Sequence, residues 1–308
     1  MTILTSSLNT DKLIGYEHEF NELKNSFDNN NFPSRVLLYG KKGIGKFTFS
    51  IHLINYIFSK NEKDKYNLTE RKININNKSH ALVINNSHPN LFMIDLNENM
   101  SNIDISQIRE MLKFSTKSSF NNNIKIVLIN NADKLNINSA NAILKILEEP
   151  NENLSFILIH DSKCKILQTI KSRCITYKFS INNVTKNNII NHFLKDEFST
   201  NDFVNYYSSP GEIIDFYNFC KENQISFKEI NIENFLKVVL ENNKIKNNKY
   251  FINNISSFFE IYFYKKILNN KDNYNYYNLY NLFLKKINLF KNYNLDLESL
   301  LIEFKAKI

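Results

Sequence analysis

Gly40-Lys41-Lys42-Gly43-Ile44-Gly45-Lys46 has the residue types and the spacing of a phosphate-binding loop. Glycines in such a loop let successive backbone N–H groups converge on an anion, and a helix that starts at its end adds the positive pole of its dipole. Residues 35–39 read as a buried strand leading into Gly40, and residues 46–58 read as a helix, so the strand–loop–helix context is present. Lys46 is placed to reach terminal phosphates. The usual loop continues with Ser or Thr, whose hydroxyl ligates Mg²⁺, but this chain has Phe47. Thr48 lies one residue further on, about 100° round a helix, and points elsewhere. Two readings stay open: a phosphate cradle that has lost its metal ligand, and a tight strand-to-helix turn without a ligand.

Other residues with chemical potential lie downstream. An apolar strand over residues 124–129 ends in Asn130-Asn131-Ala132-Asp133. Neutral amides offer no carboxylate to a metal and take no proton from water. Glu148-Glu149 could be read as a catalytic pair, but they close a helix over residues 136–149 that Pro150 stops, with Asn136 as its N-cap and Ala140, Ile143, Leu144 and Leu147 on one apolar face. A strand over residues 155–159 leads to His160-Asp161, and the stretch closes on Ser172-Arg173-Cys174. Arg173 carries a permanent, forked positive charge. It either acts on a phosphate or pairs with a nearby acid such as Glu148 or Asp161.

The elements that position these residues are strands over residues 35–39, 91–95, 124–129, 155–159 and 174–179, with helices between them. Thr10-Asp11 can cap a short first helix, residues 17–27 form an amphipathic one, and Asp104 or Ser106 starts another. That alternation indicates an α/β fold with a five-stranded parallel sheet in three layers. Residues 61–78 are polar and charged and are expected to be mobile. After residue 180 the pattern is helical throughout. Phe235, Val238 and Val239 make one stripe, Phe251, Ile255, Phe258, Phe259 and Tyr262 another, Leu279, Leu282 and Phe283 a third, and Leu297, Leu300, Leu301 and Phe304 the last. Such stripes are read as core or subunit interface rather than as base-stacking platforms.

The glycine loop, Leu147-Glu148-Glu149-Pro150 and Ser172-Arg173-Cys174 together resemble the delta-prime subunits of bacterial DNA polymerase III clamp loaders, which are AAA+ proteins. The resemblance covers roughly residues 12–180 well and the remainder weakly. It implies a P-loop domain at 1–179, a helical lid at 180–224 and a helical collar for oligomerisation at 225–308. In active AAA+ relatives an Asp-Glu pair organises the metal and activates water where this chain has Asn130-Asn131. An arginine that contacts ATP follows the turn where this chain has Glu212 and Ile213. Gln168 replaces a usual Pro. These departures, with Phe47, imply a subunit that does not hydrolyse ATP by itself. The vestigial loop (Gly40, Gly43, Gly45, Lys46) requires no cofactor, although weak ATP or ADP binding without hydrolysis stays open. The resemblance further implies that Arg173, within the Ser172-Arg173-Cys174 motif, reaches in trans into a neighbouring ATPase site. The implied partners are gamma/tau-type ATPase subunits and a delta subunit, with the sliding clamp and primer-template DNA reached through the complex and with polymerase activity at the level of the holoenzyme. Many relatives carry a four-cysteine zinc module near residues 61–90. This stretch has no cysteine, and His80 and His88 alone do not make a four-ligand site, so no zinc is expected. An active gamma/tau-type ATPase is the alternative, and it would need the missing hydroxyl and carboxylates. A small-molecule P-loop kinase would leave Ser172-Arg173-Cys174 and the helical C-terminal third without a role.

Composition agrees without deciding. At 308 residues and 43% hydrophobic content the chain can build two or three packed domains. The formal charge of +8 favours encounters with nucleic acid, but a coding bias toward Lys, Asn, Ile, Phe and Tyr would produce it unaided. Cys164, Cys174 and Cys220 are scattered and fit a reducing, cytoplasmic setting. No apolar run is long enough to span a membrane, and no secretory leader is expected at residues 1–7.

Overall fold

Five apolar runs become β1 (Arg35–Gly40), β2 (Leu91–Ile94), β3 (Lys125–Ile129), β4 (Leu154–Asp161) and β5 (Ile175–Lys178), joined in one sheet of order β2-β3-β4-β1-β5. All neighbours pair in parallel, with Arg35 opposite Phe156, Gly40 opposite Asp161 and Tyr39 opposite Lys178. The structure, a computed structural model, describes residues 10–97, 100–149, 153–195, 202–207, 209–228, 230–269, 273–293 and 296–307. Pro150, Ser208 and residues 1–9, to which some sequence expectations attach, lie outside the described residues.

Successive strand residues point to opposite faces, so one run of apolar residues serves two cores. Val36, Leu38, Ile126, Leu128, Ile157 and Ile159 share a core with α1 (Glu17–Asp28), α2 (Lys46–Ser59) and α3 (Lys78–Ile84). Leu37, Val127, Ile129, Phe156 and Leu158 share the opposite core with α4 (Ile105–Thr116), α5 (Ile137–Glu148) and Ile170 of the short α6 (Gln168–Lys171). Every residue of β3 is buried, as a strand covered on both faces requires. This is the three-layer α/β core expected from the sequence. Local caps set the helix starts: Asp104 accepts the Ser106 N–H at 3.0 Å and Asn136 accepts the Ser139 N–H at 2.8 Å. Lys125, buried at the start of β3, donates through Nζ to the carbonyls of Phe114 and Lys117, closing the end of α4.

Two expectations for this region are corrected. Thr10-Asp11 starts no helix; Lys12 instead forms an isolated bridge to Lys72, and the Leu13 N–H bonds the Arg71 carbonyl at 2.9 Å. Residues 61–78 are not a loose segment. Tyr66 and Ile73 are buried, the Tyr66 ring stacks on Phe20 at 5.6 Å, and Arg71 pairs with Glu17 at 2.5 Å. The polar composition concealed order that comes from partners far away in sequence.

The chain divides into two compact units, Met1–Ile189 and Ile190–Ile308, with the boundary inside α7 (Asn183–Leu194). The second unit contains α8 (Asp202–Tyr206), α9 (Pro210–Glu222), α10 (Ile232–Glu241), α11 (Asn243–Lys246), α12 (Lys249–Asn269), α13 (Asn273–Tyr293) and α14 (Leu297–Lys307). Its aromatic side chains form a continuous core from Phe203 through Phe216, Phe235 and Phe258 to Phe283 and Phe304. Burying each such ring stabilises the fold by about 1.5–3 kcal/mol. That core runs across residue 224, where the lid and collar were expected to separate. Val238 and Leu282 are exposed rather than part of their stripes, and Ile287 continues the α13 stripe inward from Phe283.

Candidate functional site

The phosphate loop joins β1 to α2 as the sequence indicated. Gly43 and Gly45 take left-handed φ angles of 77° and 93°, which cost little without a Cβ. A Cβ on Gly40 would come within 2.5 Å of the Phe179 carbonyl, so only glycine lets β1 pass there. Tyr16 braces the loop: its buried hydroxyl donates to the Ile44 carbonyl at 2.6 Å, and its ring packs on Phe179 at 4.6 Å. Nothing local in the sequence signals this contact, which joins residues far apart in the chain. Lys46 is buried and donates through Nζ to the carbonyls of Gly40 at 2.7 Å and Lys41 at 2.5 Å. Burial pulls its pKa down to about 8, against the opposing fields of Asp161 and Asp133. Phe47, which stands where a metal-binding hydroxyl would, packs against the core that contains Ile44 and Phe49.

The carboxylates near the loop are occupied. Asn130 and Asn131, at the end of β3, donate their Nδ2 groups to the two oxygens of Asp95 at 2.8 and 2.6 Å. Asp95 follows β2, which pairs with β3, so the sheet brings the three side chains together. Sequence reasoning missed Asp95; its signal was a carboxylate at the end of a strand neighbouring β3. Asp133 is almost fully buried, accepts the Asp161 N–H at 3.2 Å and faces His160 Nδ1 at 3.5 Å. Burial alone would raise its pKa, but contacts from His160, the Asp161 N–H and Cys164 hold it at about 2. A magnesium ion needs oxygen ligands in octahedral array. Phe47 supplies none, Asp95 is bound by two amides and Asp133 is enclosed, so these residues do not fit a magnesium site. Among the described residues no three His, Cys, Asp or Glu side chains gather into a metal-holding group. His88 stacks on Phe58 with ring centroids 4.0 Å apart, and burial lowers its pKa to about 4.

Arg173 lies just past α6. Its Nη2 donates to Glu148 Oε1 at 2.5 Å and its Nη1 to the Thr169 carbonyl at 2.9 Å. Of the two acids considered, Glu148 is the one it meets. Cys174 is half-buried, and burial pushes its thiol up to about 11, as befits a structural cysteine. Glu212 closes a capping box at the start of α9, accepting from Ser209 Oγ at 2.9 Å.

The sequence profile of the family described as DNA polymerase III, delta subunit, matches residues 15–183, more than half of the chain. The chain belongs to the DNA polymerase III delta-prime family. A relative in Pseudomonas aeruginosa, DNA polymerase III subunit delta prime, is 32% identical over 139 residues, 45% of this chain and 40% of the relative. DNA polymerase III subunit gamma of Buchnera aphidicola subsp. Schizaphis graminum is 29% identical over 187 residues, 60% of this chain and 47% of the relative. The chain thus spans less than half the length of these relatives. Among solved structures, a DNA polymerase III gamma subunit-related protein from Thermotoga maritima aligns with a TM-score of 0.44 and 18% identity, covering 85% of this chain and 77% of that one. The family match covers the sheet, the phosphate loop, the Asn130-Asn131 turn and the Ser172-Arg173-Cys174 stretch, whereas Glu212 lies beyond it. Among the described residues no helix is long and apolar enough to cross a membrane.

Proposed function

We propose that this member of the delta-prime family is a non-hydrolysing subunit of a DNA polymerase III clamp loader. Its own nucleotide site is degenerate, and it supplies Arg173 to the ATP site of a neighbouring subunit. The observation that carries this reading is the Asp95 clamp: at the end of β3, where an active site would need free carboxylates for metal and water, stand two amides, and both are spent on the neighbouring carboxylate of Asp95. Phe47 supports it independently, because an apolar ring packed on the core cannot hold Mg²⁺. The loop then serves as a strand-to-helix connection that Lys46 and Tyr16 hold closed from within. Gamma/tau-type ATPase subunits and a delta subunit are the proposed neighbours. The sliding clamp and primer-template DNA are met through the complex, in the cytoplasm, and neither zinc nor nucleotide is needed for this chain's own fold.

A hydrolysing gamma-type role is the second reading, favoured by the match to a gamma subunit. Steady-state ATP turnover by the purified chain separates the two. The proposal expects no turnover that responds to Lys46→Ala. Turnover abolished by Lys46→Ala would establish a working site and favour the gamma-type role.

A further inference from the structure

We propose that Glu148 is the positioning residue for Arg173, an inference that rests on the trans role given above. A free arginine side chain has four flexible torsions, and a guanidinium that must meet a phosphate at a defined distance loses rate when it wanders; a misplacement of about 1 Å costs roughly 10²-fold. Here the guanidinium is fixed at two points contributed by different elements, Glu148 of α5 and the Thr169 carbonyl of α6. The two contacts engage two of its five N–H donors. Among the described residues the others have no protein acceptor, which leaves them for an incoming oxyanion. The pair is partly exposed, with Arg173 at 31% and Glu148 at 53%, so the guanidinium is oriented without being sealed off.

The placement of Glu148 itself points to this task. It is the last residue of α5, at the negative end of the helix dipole, where a carboxylate works against the helix it belongs to. Its backbone is nevertheless held firmly. The preceding Leu147 is fully buried, and the Leu147 carbonyl accepts from Nη1 of Arg35, at the start of β1. The carboxylate therefore stands on a base tied to the sheet, and Arg173 is aligned with the sheet through it. A carboxylate in this place serves the arginine at the expense of its own helix.

The test is the DNA- and clamp-stimulated ATPase of reconstituted loaders, with assembly checked by gel filtration and folding by circular dichroism. The part of the rate lost in Arg173→Ala defines the site that this chain serves. Glu148→Ala should lose more than half of that part, and Glu148→Asp should behave alike because its shorter side chain withdraws the acceptor. Glu148→Gln, which keeps an acceptor oxygen in place, should restore most of it. Glu148→Ala combined with Arg173→Ala should be no slower than Arg173→Ala alone. A merely structural role would lower assembly or melting temperature and would make the double variant slower than either single one, which would overturn the inference. Rates unchanged or raised in Glu148→Ala would also overturn it, as would Gln and Asp variants that both match the native rate. If Glu148→Ala does not assemble, the contrast between Gln and Asp decides. Arg173→Ala with a native rate would instead remove the trans role itself, whereas a loss in Arg173→Ala without a loss in Glu148→Ala would remove the positioning role alone.

Discussion

Asn130 and Asn131 act as donors where a hydrolytic site would need acceptors. Each points an amide N–H at one oxygen of Asp95, and the three side chains satisfy one another across two adjacent strands. Restoring an acid by substitution should therefore harm the protein before it helps it. Asn130→Asp exchanges a 2.8 Å hydrogen bond for two facing carboxylates in a partly buried place. Like charges so close raise the pKa of one member of the pair, and the loss of the bond with its repulsion should cost about 1–3 kcal/mol at neutral pH. The sign with pH follows: a carboxyl whose folded pKa is raised regains stability as the pH falls through that value, because protonation turns repulsion back into a hydrogen bond. Melting temperatures of Asn130→Asp and the native chain should differ most near neutral pH and converge as the pH falls and the pair takes up a proton. A constant difference over that range, or none at all, would contradict this account of the clamp.

Among elements, residues 61–84 show a stretch that holds its shape by protein contacts. Glu62 accepts from the Lys78 N–H at 2.9 Å, the Ser79 N–H at 3.0 Å and the Ser79 hydroxyl at 2.5 Å, and so caps the start of α3 from outside the helix. Asn77 caps the same end through the His80 N–H at 2.8 Å. Tyr66 and His52 add a buried hydrogen bond at 2.9 Å. Carboxylate and aromatic contacts hold this segment together, and the sequence offers no four-cysteine set here, so we expect it to keep its fold without zinc. A chelator should then leave the melting temperature unchanged, whereas Glu62→Ala should lower stability by roughly 1–2 kcal/mol and quicken proteolysis within residues 61–84. A melting temperature that drops with chelator, or about one zinc retained per chain after dialysis, would show that a metal holds this segment.

On the scale of the molecule, what could be read from the sequence follows the distance over which each feature is determined. The central strands were legible because they are short apolar runs, β3 being buried on both faces, and the caps at Asp104 and Asn136 were legible because they act within three residues. The phosphate loop was legible from its glycines. Order in residues 61–78 was not, because Tyr66 and Arg71 find Phe20 and Glu17 more than forty positions away. Asp95 escaped for the same reason, as its partners lie on another strand. In the helical unit the stripes gave the buried side of α12 and α14 but misplaced Val238 and Leu282, since a broad aromatic core does not tell which flank of a stripe it covers. The site combines these scales: a loop held shut, carboxylates already engaged, and one oriented arginine. The central claim is that this arginine works on another subunit's nucleotide. The most direct measurement is the ATPase and clamp-loading rate of a reconstituted loader carrying Arg173→Ala or Arg173→Lys in an otherwise native complex. A forked guanidinium can grip two phosphate oxygens and an ammonium cannot, and such arginines contribute up to ~10³–10⁵ in rate at the site they serve. The account predicts that both variants fold and assemble, and that both lose the contribution of the one site that borders this subunit, so that the total rate falls in part. A fully assembled Arg173→Ala complex with native ATPase and loading rates would contradict it.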